Sequence, residues 1–276
     1  MTNSIPLWLR FLRIYGHYSP IHRGKMRLID WTFRHLSIPP LLVEAKLDQS
    51  ITMSVNLQIW VDYNIYCWGQ YEYYLTRFFK QQIKPDTIFI DVGAYIGQYA
   101  QLAARIAHEG KIYAFEPNPE TVQRLKKHIA ANQFENITVI PKGVGMQNST
   151  LDFFVGEQPS QSSFISTHTS FKQVKKIPVI TLDSFCEEEG IKQVDILKID
   201  VEEAEDGVIN GARNLLQHAR PLIIMEIGHR AIQSGDPESL QALRALNYKF
   251  YILERTNLQP LPQQLRFGQE IIAIPA

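Results

Sequence analysis

Hydrophobic and polar positions follow two regimes along the 276 residues. From residue 86 onward, short apolar runs alternate with segments of helical period, the pattern of strands joined by helices. Runs at 87–91, 111–116 and 137–140 predict strands. Helices over about 97–107 and 119–132 lie between them, with Pro119 suited to a first helical turn. Gly143 to Val155, turning near Gln147 and Asn148, predicts a β-hairpin, and 156–173 is a polar loop rich in Ser and Thr. The pattern resumes with strand 175–180, a short helix 182–189 and the buried run Val194 to Asp200. A helix over about 205–218 stops at Pro221. Strand Leu222 to Glu226, a helix over about 237–246, strand 248–254 and a last strand Ile271 to Ile274 complete the chain. This alternation implies an α/β, doubly wound, Rossmann-like sheet, mostly parallel with the last strand antiparallel. Ligands then bind at the carboxyl ends of its strands.

Residues 1 to about 80 lack that alternation. Trp8, Leu9, Phe11, Leu12 and Ile14, with Arg10 and Arg13 between them, predict a basic amphipathic helix. Ile51 to Val55 alternates like a strand, Leu57 to Tyr66 is rich in β-formers, and Tyr71 to Gln81 reads as a helix leading to Pro85. The expected organisation is an N-terminal extension, 1–80, packing on or capping a cofactor-binding domain, 81–276. Trp60, Tyr63, Tyr66, Trp68 and Tyr71 read as packing between the two; a sugar-stacking wall is the alternative.

Composition narrows the classes. Lys plus Arg number 28 and Asp plus Glu number 28, so the chain is formally neutral, which argues against a dedicated nucleic-acid binder. At 45% hydrophobic the chain can build a sizeable core. Cys67 and Cys186 lie far apart without metal-ligand spacing, which fits a reducing compartment. No apolar run approaches the roughly 20 residues of a membrane span, and Arg10 and Arg13 interrupt what would be a signal-peptide core. A cytoplasmic protein is expected. Charge is uneven locally: from Trp8 to Arg34, six Arg or Lys residues stand against Asp30 alone. Such a stretch suits either a docked helix with a solvated face or weak peripheral contact with anionic lipid. Nothing in the sequence sets an oligomeric state.

The chemistry concentrates at Asp91-Val92-Gly93-Ala94-Tyr95-Ile96-Gly97 and at Phe115-Glu116-Pro117-Asn118. Glycines at a first strand-to-helix turn let backbone approach a ligand, and an acid after the second strand suits ribose hydroxyls. A nicotinamide dinucleotide fold wants Gly-x-Gly-x-x-Gly at this turn. Here the tight glycine pair is missing and the strand ends in a carboxylate, which would repel a pyrophosphate. The turn suits a ligand carrying an ammonium and a sulfonium, such as S-adenosyl-L-methionine.

These stretches, together with Lys198-Ile199-Asp200-Val201-Glu202-Glu203-Ala204-Glu205 and Ile223-Ile224-Met225-Glu226-Ile227, resemble the FkbM family of S-adenosylmethionine-dependent methyltransferases. Gly69-Gln70-Tyr71-Glu72 and Thr181-Leu182-Asp183 also resemble that family, over about residues 65–276. Tyr95 departs from its usual Asn, and Glu203 from its usual Gly. The resemblance implies O-methylation of a hydroxyl on a small molecule, sugar, glycan or lipid-linked natural product. It implies a cofactor site built from Asp91, Gly93, Ala94, Tyr95, Gly97, Glu116, Pro117, Asn118, Lys142, Gly143 and Asp200.

Asp200 and Glu226 each end a strand, and His229 follows the second acid. These three are the candidate catalytic groups, as base, electrostatic partner of the sulfonium or, for Asp200, a helix-start acid. The acids could hold magnesium, but no spacing requires a metal. The Ser- and Thr-rich loop from Gln161 to Thr169 is a candidate substrate lid. Two other readings stay open: a nicotinamide-dependent oxidoreductase, and a cofactor-binding module without catalysis.

Overall fold

The computed structural model describes residues 4–19, 24–156, 162–164, 171–228, 237–266 and 268–276. Ahead of the main sheet come helices α1 (Leu7–Tyr18) and α2 (Lys25–His35), strands β1 (Leu42–Leu47) and β2 (Ile51–Asn56), and helices α3 (Trp60–Trp68) and α4 (Tyr73–Gln82). The alternating part follows as β3 (Ile88–Val92), α5 (Gln98–Ile106), β4 (Lys111–Phe115), α6 (Pro119–Ala131) and β5 (Ile137–Ile140). Next come β6 (Gly143–Val144), β7 (Ser149–Gly156), β8 (Phe171–Ile180), α7 (Leu182–Glu188), β9 (Ile196–Ile199), α8 (Glu205–Asn210) and α9 (Arg213–His218). The chain ends with β10 (Leu222–Ile227), α10 (Glu238–Ala245), β11 (Tyr248–Glu254), β12 (Asn257–Pro260) and β13 (Gln269–Pro275).

Eight strands form one sheet in the order β12-β11-β13-β10-β9-β3-β4-β5. β5, β4, β3, β9 and β10 pair in parallel, while β13 runs antiparallel to both β10 and β11. Strand order therefore reverses between β3 and β9. That reversal opens a crevice at their carboxyl ends, where open α/β sheets bind ligands.

The period-2 alternation of each strand divides its side chains between two cores. Ile90, Val92, Tyr113, Phe115, Leu197, Ile199, Ile223 and Met225 face a core with α7, α8, α9 and α10. Phe89, Ile112, Ala114, Ile196 and Ile224 face the other core. That second core also holds Leu9 of α1, Ile29 of α2, Ala45 and Met53 of the hairpin, Tyr63 of α3 and Phe79 of α4. The first 80 residues thus share one core with a face of the sheet. Polar links reinforce the join. Asn132 accepts from Thr52 N–H at 2.7 Å and returns a bond to its carbonyl at 2.8 Å. His128 Nε2 accepts from Ser54 N–H at 3.0 Å, which leaves Nδ1 to donate to the Ile96 carbonyl at 3.1 Å.

Three expectations are corrected. The β-forming stretch Leu57 to Tyr66 runs into helix α3, whose residues from Asp62 to Trp68 are all buried. A helix enclosed on every side carries no polar stripe, so its aromatic and β-branched composition mimics a strand. The segments within Gly143 to Val155 are not a hairpin. β6 pairs in parallel and β7 antiparallel with β8, in a separate three-stranded sheet. The helix over 205–218 is two helices, α8 and α9, broken at Gly211. A Cβ there would lie 2.1 Å from the Gly145 carbonyl oxygen, so the chain comes too close for a side chain.

Candidate active site

A cavity of about 440 Å³ opens at the carboxyl ends of β3, β4, β9 and β10. Its walls include Asp91, Gly93, Ala94, Tyr95, Glu116 and Pro117 from the first two strand ends, and Lys142 and Gly143 beside β6. Asp200, Glu202 and Glu226 line the far end, and Trp60, Val61, Tyr71 and Glu72 reach in from the N-terminal elements. Of the residues singled out from the sequence, Gly97 and Asn118 lie off the wall. Gly97 precedes α5 as its N-cap, and the Asn118 side chain caps α6 by accepting from Glu120 N–H at 3.1 Å. His229 lies outside the described residues, as do Gln161 and residues 165–169 of the loop; Ser162, Ser163 and Phe164 reach the wall.

The turn after β3 is fixed by backbone bonds. Gly93 and Ala94 N–H donate to the Phe115 carbonyl at 3.0 and 2.9 Å. Gly93 has φ 86°, and a Cβ on it would meet the Asp200 carbonyl oxygen at 1.8 Å. Glycine is required on both counts, since the backbone is left-handed and the end of β9 presses against it. Glu116 ties this turn to the next one: its two carboxylate oxygens accept from Tyr95 N–H and Asn118 N–H, each at 2.9 Å. Burial pushes the Glu116 carboxyl up to about 7, against those two donors, which favour its ionised form.

Asp91 follows Phe89 on the face that the N-terminal elements cover and pairs in register with Lys198. Burial pushes it up to about 7 despite the nearby Lys198. Its Oδ2 atom is buried without a hydrogen-bond partner. An unpaired buried carboxylate oxygen costs free energy on the order of 1–3 kcal/mol, which a cationic or N–H-bearing ligand would recover.

Beyond Asp91 lies a dense acidic group. Lys198 Nζ is 2.7 Å from Asp200 Oδ2, and the lysine is buried. Burial disfavours its charge, but Asp200, Glu270, Glu72 and Asp91 outweigh that and hold its pKa well above the ordinary value. Glu226 opposes Glu270 across the β10–β13 pair. Burial, then Asp200 and Glu202, push Glu226 well above the carboxylate range. Glu202 is pushed up to about 7 by burial and by its acidic neighbours. Glu72 accepts from Tyr99 O–H at 2.8 Å, and burial raises it too. With this many carboxylates around one lysine, several of the group hold protons near neutrality.

Sequence reasoning gave no role to Glu72 or Glu270. A charge beginning the apolar run Ile271 to Ile274 was the available signal for Glu270. Trp60 and Tyr71 line the cavity, whereas Tyr63 and Tyr66 are buried in the core and Trp68 stacks on Tyr73 at 5.0 Å. The aromatic cluster thus divides between packing and site.

Gly93 and Ala94 give a backbone cradle, Asp91 offers an unpaired anionic oxygen, and Glu116 is anchored but keeps lone pairs for hydroxyls. A pyrophosphate would face Asp91 and Asp200 with the wrong charge. A cofactor with a ribose, an ammonium and a sulfonium meets each of these groups favourably. The fold and site define an S-adenosylmethionine-dependent methyltransferase. Residues 91–250 match the family model described as the methyltransferase FkbM domain, and the chain belongs to that family. It is 29% identical over 180 residues to hexuronic acid methyltransferase AglP of Haloferax volcanii, covering 65% of this chain and 71% of that one. It is 24% identical over 167 residues to 2-O-methyltransferase NoeI of Sinorhizobium fredii, covering 55% and 68%. Among solved structures it is similar to an FkbM methyltransferase from Methylobacillus flagellatus KT, with TM-score 0.48 and 17% identity over 69% of this chain. That match spans 44% of the solved chain's length.

Proposed function

We propose that the protein methylates a hydroxyl of a sugar or of a sugar-bearing, lipid-linked acceptor. The observation that carries this is the continuity of one cavity from the Glu116 end to the acidic group at Asp200 and Glu226. The names of the two relatives, one a hexuronic acid methyltransferase and one a 2-O-methyltransferase, support the acceptor class.

Bound there, S-adenosylmethionine supplies an electrophilic methyl carbon. In this reading Glu116 accepts both ribose hydroxyls, Asp91 meets the ammonium, and Lys142 and Gly143 border the adenine. Asp200 accepts the proton of the acceptor hydroxyl, whose oxygen would take the methyl group in exchange for the sulfonium's bond to it. Lys198, 2.7 Å from Asp200, holds that carboxylate in place. Glu226, protonated beside Asp200, donates a hydrogen bond to an acceptor oxygen. His229 remains a second candidate base. Trp60 and Tyr71 supply aromatic surface for a sugar, and Ser162, Ser163 and Phe164 complete that part of the wall. Holding the two reactants in line can contribute about 7–11 kcal/mol at best.

Residues 1–80 serve in this reading as the roof of the cavity over a catalytic domain of 81–276. Among the described residues no helix is long and apolar enough to cross a membrane. A cytoplasmic location is supported by two buried free cysteines, Cys67 and Cys186, whose thiols burial pushes up to about 12 and about 11. Thiols so disfavoured as thiolates are packing groups rather than nucleophiles.

Mass spectrometry of sugar acceptors incubated with the protein and S-adenosylmethionine tests the proposal; the expected product gains one methylene per transfer. Asp200→Asn is expected to lower turnover about 10²–10⁴-fold, the range for a positioned base, with cofactor affinity little changed. Cofactor binding without turnover on any hydroxyl acceptor would leave a silent binding module instead.

A further inference from the structure

Helix α1 is docked by one face only. Leu9, Leu12 and Gly16 are buried against the body of the protein. On the opposite side Leu7, Phe11, Ile14 and Tyr18, at the spacing of one helical stripe, are 70, 68, 55 and 77% exposed. The neighbouring α2 leaves Leu28 and Trp31 exposed, with Arg27, Arg34 and His35 on the same side. A row of four large apolar side chains left in solvent along one helix is more than the scattered exposure normal for a surface.

Beside the stripe is a groove of about 510 Å³ lined by Arg10, Arg13, Ile14, Tyr18, Lys46 and Tyr66, among others, and, among the described residues, by no carboxylate. Arg13 lies over the Tyr66 ring at 5.0 Å, and both residues line the groove. Burial, then the nearby Arg13 and Lys25, hold His17 below its ordinary pKa, so Arg10, Arg13 and Lys46 carry the charge. Ile14 and Tyr18 belong both to the stripe and to the groove. Charge is segregated across the whole chain: the bases from Arg10 to Arg34 outnumber Asp30 by five, so the rest of this neutral chain is acidic.

We propose that α1 and α2 form a seat for an anionic lipid surface. The apolar stripe enters the acyl boundary, and the groove at Arg10, Arg13 and Lys46 receives a headgroup phosphate. An apolar face rimmed by arginines on a helix too short to span is the arrangement that lies in the plane of a bilayer interface. The acidic remainder of the chain faces away from the lipid, which orients the molecule on it.

Co-sedimentation of the full chain with phosphatidylcholine vesicles, with and without phosphatidylglycerol, tests this. The protein is expected to pellet with the mixed vesicles and to be released by salt. Arg10→Ala should weaken partition about fivefold on the mixed vesicles, as expected for one cation at an anionic surface, and change nothing on phosphatidylcholine alone. Phe11→Ser should weaken it about tenfold or more on the mixed vesicles, from the loss of a buried aromatic side chain. Both side chains are exposed, so unchanged thermal unfolding of the variants is the control for folding. No partition at low salt, or partition blind to lipid charge, would overturn the proposal. Inorganic phosphate bound in the groove by calorimetry while the vesicles stay bare would assign the groove to a free anion. A dimer in light scattering that Phe11→Ser dissociates would assign the stripe to a second copy of the chain.

Discussion

Tyr95 sits at φ 49°, a left-handed conformation that costs a side chain with a Cβ about 1–2 kcal/mol. Asn, usual at this place in the family, tolerates that region better. Here the tyrosine is held by other means: its O–H donates to Asp62 Oδ1 at 3.1 Å, and Arg124 lies 5.9 Å over its ring while pairing with Asp62. The cofactor turn is thereby latched to α3, and the departure from Asn leaves the backbone bond from Tyr95 to Glu116 intact. Glu116→Gln is a milder probe of the ribose role than truncation to Ala: its amide oxygen still accepts from one of the Tyr95 and Asn118 N–H groups, whereas Ala strands both. Affinity for S-adenosylhomocysteine, measured by calorimetry, is expected to fall about tenfold or more, the loss of one charge-assisted hydrogen bond. An unchanged affinity would remove Glu116 from the cofactor site. Asp91, Glu116, Asp200 and Glu226 were legible in the sequence because each is an acid closing an apolar run. Glu72 and Glu270 were not, because their approach to Lys198 depends on contacts between segments far apart in the chain.

At the scale of elements, the turn from β9 into α8 carries the sharpest local tension. Glu202 and Glu203 are consecutive side-chain-bearing residues at φ 48° and 78°. Such positions cost of order 1–3 kcal/mol and persist at functional sites when their surroundings hold them. Glu203→Gly relieves one of them and removes a charge beside Glu202 and Glu205. Part of that gain is offset by the chain entropy of glycine, so the expected net stabilisation is about 1 kcal/mol, read as a rise of about 2–4 °C in Tm by calorimetry. A fall in Tm would show that the Glu203 side chain secures the turn. Elements whose signal is local were read well. The parallel strands announced themselves as apolar runs and their helices by period, and the cap at Asn118 with Pro119 stood where a helix start belongs. The partnership of β6 and β7 with β8 was hidden, since β8 begins 15 residues after β7 ends. Helix α3 was hidden for another reason: total enclosure erased its amphipathic period.

For the whole molecule, the cavity is an electrostatic load on the fold. Asp91, Glu116, Glu202 and Glu205 titrate at about 7 in the folded chain, well above an ordinary carboxylate at roughly 4. Between those values the folded chain keeps protons that the unfolded chain releases, so stability falls as pH rises through the window. Without cofactor, Tm is expected to decline from about pH 5 to about pH 8. Bound S-adenosylmethionine should flatten the decline, because its positive charges favour ionised Asp91. Asp91→Asn should flatten it partly with no ligand present. Thermal scans across that range check the sign, and a Tm that rises with pH would show these carboxyls ionising freely in the native state.

Trp60, Val61, Tyr71 and Glu72 all come from the first 80 residues, yet they line the same chamber as the strand-end acids. The strand-end acids form the floor of that chamber, and much of its ceiling comes from a separate stretch of chain. A descendant could therefore switch what it decorates by rewriting the ceiling, leaving the donor machinery untouched.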